Sequence, residues 1–191
     1  MSKSSAKRTP HILIFNPDSW RGDAVGAHGH RAAVTPNVDE FIAHNGVSFR
    51  RAFCQNPVCT PSRCSFMTGW YPHTMGHRTM FHMLRGHEPI LLRTLREKGY
   101  FVWWGGKNDV VPRQHGFDHV ADIKYEADHG RIDPDGHQLM MNAMLESEPG
   151  YYSMLWGKMA SDDGRPWYSH DQAKVDGACD VIRNRPTDKP L

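Results

Sequence analysis

The chain has 191 residues, of which 39% are hydrophobic, enough for a packed core without disulfide staples. Twenty-three Lys and Arg stand against 21 Asp and Glu, a net charge of +2, so nucleic acid and membrane surfaces are not the expected partners. Apolar runs such as Ile12–Phe15 and Ile90–Leu92 are far too short to span a bilayer. Four cysteines do not make a disulfide scaffold, and the polar, basic residues 1–10 carry no signal-peptide core. A cytoplasmic location is the expectation from that opening.

Residues 1–10 are expected to be a disordered lead-in. His11–Asn16 is a short apolar run stopped by Pro17, which predicts a buried strand. Thr35-Pro36 has the order of an N-cap and first helical residue. The helix it opens carries Val38, Phe41 and Ile42 on one face and stops at Asn45-Gly46. Val47–Phe53 is expected as a second strand. Pro57–Gly69 is expected as a loop running into a short helix. Pro89–Lys98 is an amphipathic helix with Leu91, Leu92 and Leu95 together and Gly99 as its stop. Tyr100–Trp104 is rich in β-formers and ends at Gly105-Gly106. Residues 121–168 are turn-rich and give no clear element. Ser169-His170-Asp171-Gln172 fits a capping box, and the helix after it should bury Ala178, Val181 and Ile182. Strands alternating with helices predict an α/β layered domain with a largely parallel central sheet flanked by helices. Ligands in such sheets sit at the carboxyl ends of strands, after HILIFN and after YFVWW.

The most informative stretch is Cys59-Thr60-Pro61-Ser62-Arg63. A helix start there presents free N–H groups and partial positive charge to an anion, and Arg63 adds a fixed cation. A buried inert thiol in a Pro-Ser turn is the plain alternative. The three residues between Cys59 and Arg63 do not match the C-x5-R loop of phosphatases. His73, His77, His82 and His87 do not make a zinc site, because Pro72, Gly76 and Gly86 break the helix such spacing needs.

The CTPSR segment is similar to the C-x-P-S-R signature of type I sulfatases. Met67-Thr68-Gly69 and Tyr71-Pro72-His73 extend the resemblance. HILIFNPDSWRGDAVG resembles the family's first strand and metal loop, and TPNVDEFIAHNGVSFRRAFCQNPVCTPSR its following run. LLRTLREKGYFVWWGGKND and GFDHV continue it in the expected order. The likeness covers about residues 10–120, weakens over 121–168 and returns at the terminal helix.

That resemblance implies an alkaline-phosphatase-like fold and a sulfuric ester hydrolase. It implies that Cys59 is oxidised by a formylglycine-generating maturation enzyme to Cα-formylglycine, whose hydrated diol attacks sulfur. Arg63 would hold the diol, and Lys107 falls on the family lysine that contacts the sulfate. Asp18 falls on a metal-ligating Asp, with the oxidised Cys59 beside it, for Ca²⁺ (or Mg²⁺ or Mn²⁺). The substrate implied is a small-molecule or carbohydrate sulfate ester. Three positions depart from the pattern: Ser19 where many members have an acid or amide, Asp109 where a proton-transferring His is usual, and Trp70 where Arg is usual. Asp109 is therefore the candidate acid–base residue, although its charge would repel an anion. Later ligands and a further lysine of the family are not in the sequence. Residues 11–191 are thus expected to be the N-terminal portion of a C-terminally incomplete catalytic domain. A phosphonate monoester or phosphodiester hydrolase of the same superfamily, and a non-catalytic remnant, are the alternatives.

Overall fold

A computed structural model of the chain describes residues 9–126 and 170–191. These divide into two compact units, each drawn from separated stretches of sequence. The sheet unit takes residues up to Ile12, Pro89–Asn108 and Arg113–Leu191; the helix unit takes Leu13–Glu88 and Asp109–Pro112.

In the sheet unit, helix α3 (Leu91–Glu97) leads into strand β1 (Trp103–Gly105). Ile90 and Leu92 are buried under it, and Gly99, at φ +88°, reverses the chain as its sequence position predicts. Strand β1 pairs in parallel with β2 (Ile123–Tyr125), Trp104 lying opposite Lys124. Asp122 extends that pairing, its carboxylate accepting the Val102 N–H at 2.7 Å. Helix α4 (His170–Arg183) packs against β1. Its buried line is Ala173 and Gly177, with Val181 half-buried; Ile182, expected inside, is exposed. The line follows Tyr125, whose ring occupies the space over Gly177 and whose hydroxyl donates to the Ala173 carbonyl at 3.3 Å. Ser169 of the expected capping box lies outside the described residues, and the Gln172 side chain donates to Asp176 instead.

In the helix unit, α1 (Pro36–His44) begins and ends where predicted. The Thr35 hydroxyl accepts the Gly26 N–H and donates to Asp39, which in turn accepts the Ala27 N–H, so α1 and the single turn Gly26–His28 are tied together. Phe41, expected on the buried face, is exposed and lies against Gly46. Helix α2 (Cys59–Thr68) buries Thr60, Pro61, Cys64 and Ser65.

Neither apolar run expected as a strand is one. Ile12 donates its N–H to Leu191 at 2.8 Å, and Phe101 donates to Pro190 at 2.8 Å, so the 190–191 segment lies between two extended pieces of the sheet unit. Leu13, Ile14 and Phe15, beyond that contact, are exposed, as are Val47, Phe49 and Phe53. A strand needs partners for its backbone and a cover for its side chains. Among the described residues neither run has both. No helix among the described residues is long and apolar enough to cross a membrane.

Candidate active site

Helix α2 starts where it does for local reasons. Val58 is extended, and the Asn56 side-chain oxygen accepts its N–H at 3.1 Å. Pro61 sits in the first turn, where a missing N–H costs no intrahelical bond. Gly69, at φ +76°, closes the far end, and the Ser65 hydroxyl lies 2.6 Å from the Trp70 carbonyl. The turn after α2 is thus held through the backbone of residue 70, which leaves the Trp70 side chain no part in these contacts.

The buried face of α2 fixes the rotation of the helix. Thr60 donates to the Met80 carbonyl at 3.2 Å, and Cys64 is only 1% exposed. Burial pushes the Cys64 thiol up to about 11, and Glu88 and Asp109 push it the same way. Cys64 is therefore an inert core thiol. Cys59 and Arg63, four residues apart, share the neighbouring face one turn apart.

Both meet Asp18. The Cys59 thiol lies 3.8 Å from Asp18 Oδ1, and Arg63 Nη2 lies 3.4 Å from the same oxygen. The Arg63 side chain is 11% exposed, so this charge contact is largely shielded from water, whereas Asp18 is open to solvent on its other side. Asp18 follows Pro17 in a tight turn, and Ser19 is held at φ 59°, a left-handed conformation uncommon for a residue with a side chain. Asp109 shares this unit and also has a positive φ, 46°. Lys107 belongs to the sheet unit, exposed, in the turn just after β1. The structure thus brings Cys59 and Arg63 to one carboxylate oxygen of Asp18.

A hard carboxylate beside the sulfur that oxidation would replace with oxygens is a donor set suited to a divalent cation. Asp18 and residue 59 would fill part of its shell. Among the described residues, no group of three or more His, Cys, Asp or Glu could hold a metal by itself.

One arrangement in the helix unit carries no motif. His77 and Glu88 are both buried, with His77 Nε2 3.1 Å from Glu88 Oε2. Glu88 also accepts the Arg85 N–H at 2.6 Å and the Arg85 guanidinium at 2.9 Å. The His77 Nδ1 lies 2.8 Å from the His82 carbonyl. The pair secures the loop between α2 and Glu88. The histidine spacing alone suggested only a failed metal site.

A thiol at a helix start, an arginine one turn on and an aspartate bridging them are the arrangement expected of a sulfatase nucleophile. The sequence pattern of the sulfatase family matches residues 10–191, and the chain belongs to that family. It is 31% identical over 133 residues to an ulvan-active sulfatase of Formosa agariphila, covering 64% of this chain and 26% of that protein. It is 28% identical over 134 residues to an N-acetylglucosamine-6-O-sulfatase of Bacteroides thetaiotaomicron, covering 70% of this chain and 24% of that protein. It is 32% identical over 138 residues to human arylsulfatase A, covering 64% and 27%. The chain therefore spans about a quarter of the length of these relatives. The crystal structure of Ps i-CgsB in complex with k-i-k-neocarrahexaose superposes with a TM-score of 0.59 at 22% identity, over 91% of this chain and 41% of that one. That likeness shows the fold, alkaline-phosphatase-like α/β.

Proposed function

We propose that residues 11–191 contribute the first part of the catalytic domain of a sulfuric ester hydrolase, acting on a carbohydrate or small-molecule sulfate. The observation that carries this reading is the contact of both Cys59 and Arg63 with Asp18 Oδ1, at 3.8 and 3.4 Å.

Cys59 is the precursor of the nucleophile. A maturation enzyme reads the CTPSR segment and, with an external two-electron oxidant such as molecular oxygen, converts the Cys59 Cβ to an aldehyde, the sulfur leaving as sulfide. Such an aldehyde, once hydrated, offers one hydroxyl for attack on sulfur and a second to expel sulfate, which a thiol does not. A divalent cation, when held by Asp18 and residue 59, supplies positive charge against the sulfate oxygens.

The chain's own residues do the rest. Residue 59 opens α2, where the partial positive charge of the helix start favours negative charge. Arg63, a fixed cation 3.4 Å from Asp18, holds that carboxylate in place and faces the charge that develops at residue 59. Lys107 adds a point charge for the sulfate group. Asp109 accepts the proton that the usual histidine would take.

The test is intact and peptide mass of the protein coexpressed with a formylglycine-generating enzyme. Residue 59 is expected to lose its sulfur and two hydrogens and gain one oxygen (its hydrate carrying one further water), while Cys54, Cys64 and Cys179 keep their sulfur. A Cys59 that stays a thiol under conditions that convert a known CxPSR substrate would overturn the reading.

A further inference from the structure

We propose that Lys124 is a positioning residue: its buried ammonium fixes the turn that carries Lys107. This rests on reading Lys107 as a sulfate contact, and it concerns only the sheet unit.

Lys124 stands opposite Trp104 in the parallel pair of β1 and β2. Its side chain is 6% exposed. The ammonium nitrogen lies 5.3 Å from the centre of the Trp104 ring and 5.6 Å from that of Phe117. The two rings meet edge to face at 5.6 Å. Burial pushes the Lys124 ammonium below its usual range, opposed by Glu126, whose carboxylate is 3.7 Å away. Its hydrogen bonds go to the Gly106 carbonyl at 2.9 Å and the Tyr125 carbonyl at 3.3 Å.

Taking an ammonium out of water is costly unless its donors are met. An apolar residue would serve the packing of β2 without that cost. The position of the first acceptor gives the charge a role. The Gly106 carbonyl and the Lys107 N–H belong to one planar peptide. Holding that oxygen sets the plane from which Lys107 departs. Gly106 itself is at φ +83°, a conformation open to glycine and loosely held by its own sterics. A flexible residue before a functional one needs an outside restraint, and the shortest hydrogen bond of Lys124 supplies it. The ammonium is spent on backbone carbonyls, rings and the Glu126 carboxylate, so Lys124 acts through Lys107 and does not touch substrate.

The test uses the 191-residue chain, isotopically labelled, with inorganic sulfate as the probe. Lys124→Met keeps the length and removes the donors. Hydrogen exchange at the Lys107 amide is expected to quicken and sulfate affinity to fall, each by about tenfold, the usual worth of one charge-assisted hydrogen bond. Lys124→Arg is expected to recover part of both. A folded Lys124→Met chain with an unchanged Lys107 amide overturns the proposal. Should Lys124→Met not fold, the unsubstituted chain decides: the Gly106 carbonyl carbon is expected to shift in step with the titration of Lys124, and no response there overturns the proposal. Quickened exchange with sulfate affinity unchanged, in Lys124→Met and in Lys107→Met alike, supports the role of Lys124 and overturns that of Lys107.

Discussion

Glu88 shows how one buried carboxylate is kept charged. Burial pushes its carboxyl up from the ordinary 4.5, but the Arg85 N–H, the His77 ring and the Arg85 guanidinium together outweigh that and hold it lower. A carboxyl lowered by folding adds stability that is full above its unfolded value and lost as pH falls through the folded one. The urea midpoint of the chain is therefore expected to drop on acidification below about pH 4.5, while that of Glu88→Gln stays flat across the same window. At neutral pH the substitution is expected to cost about 1–3 kcal/mol, because a neutral amide replaces the buried carboxylate that accepts the Arg85 N–H, while the half-exposed Arg85 guanidinium can turn to water. A flat profile in the unsubstituted chain would show that Glu88 does not supply this pH-dependent stability. The contrast between Cys59 and Cys64 belongs to the same scale. Five residues apart on one helix, one lies against a carboxylate at the helix start and the other is sealed in the core.

Among the elements, those with punctuation were legible in the sequence. Helix α1 was announced by Thr35-Pro36 and Asn45-Gly46, α3 by Gly99, and α2 by Pro57 and Gly69. Their bounds are set by local backbone chemistry, which a single stretch of sequence contains. The runs at 11–16 and 47–53 have the composition of strands without being strands, because burial depends on what lies alongside, and no local pattern states that. Strand β2 is not legible in the sequence because it has three residues with a lysine at its centre, and a buried lysine looks like a surface one until its partners are known. Of the candidate site, Cys59, Arg63 and Asp18 were legible as a motif; their meeting at one carboxylate oxygen was not. The interior of α4 offers a direct test of element packing. A Cβ built on Gly177 would lie 2.6 Å from the Tyr125 ring. Helix propensity alone would make Gly177→Ala stabilising by about 1 kcal/mol. The clash is expected to reverse the sign, for a net loss of about 1–2 kcal/mol, read as a lower thermal midpoint. A raised midpoint would mean that Tyr125 moves aside freely.

At the scale of the molecule, the two units are interleaved along the chain. The helix unit needs four residues from far downstream. Val110 and Val111 are buried within it, and the Val110 carbonyl accepts the Leu84 N–H at 2.8 Å. A polypeptide of residues 13–88 lacks that strip. It is expected to unfold without a sharp transition and to bind a hydrophobic dye, whereas the same piece with residues 109–112 joined by a flexible linker should bind less dye and melt more steeply. Equal behaviour of the two would mean that Val110 and Val111 contribute little to that core.

The bond from Ile12 to Leu191 has a further consequence, in time. During synthesis at ordinary rates of about 5–20 residues per second, Ile12 leaves the ribosome on the order of ten seconds or more before its partner is made. Through that interval the Ile12 N–H lacks this acceptor, whereas Leu13, Ile14 and Phe15, exposed even after the bond forms, are a bare apolar run before and after it.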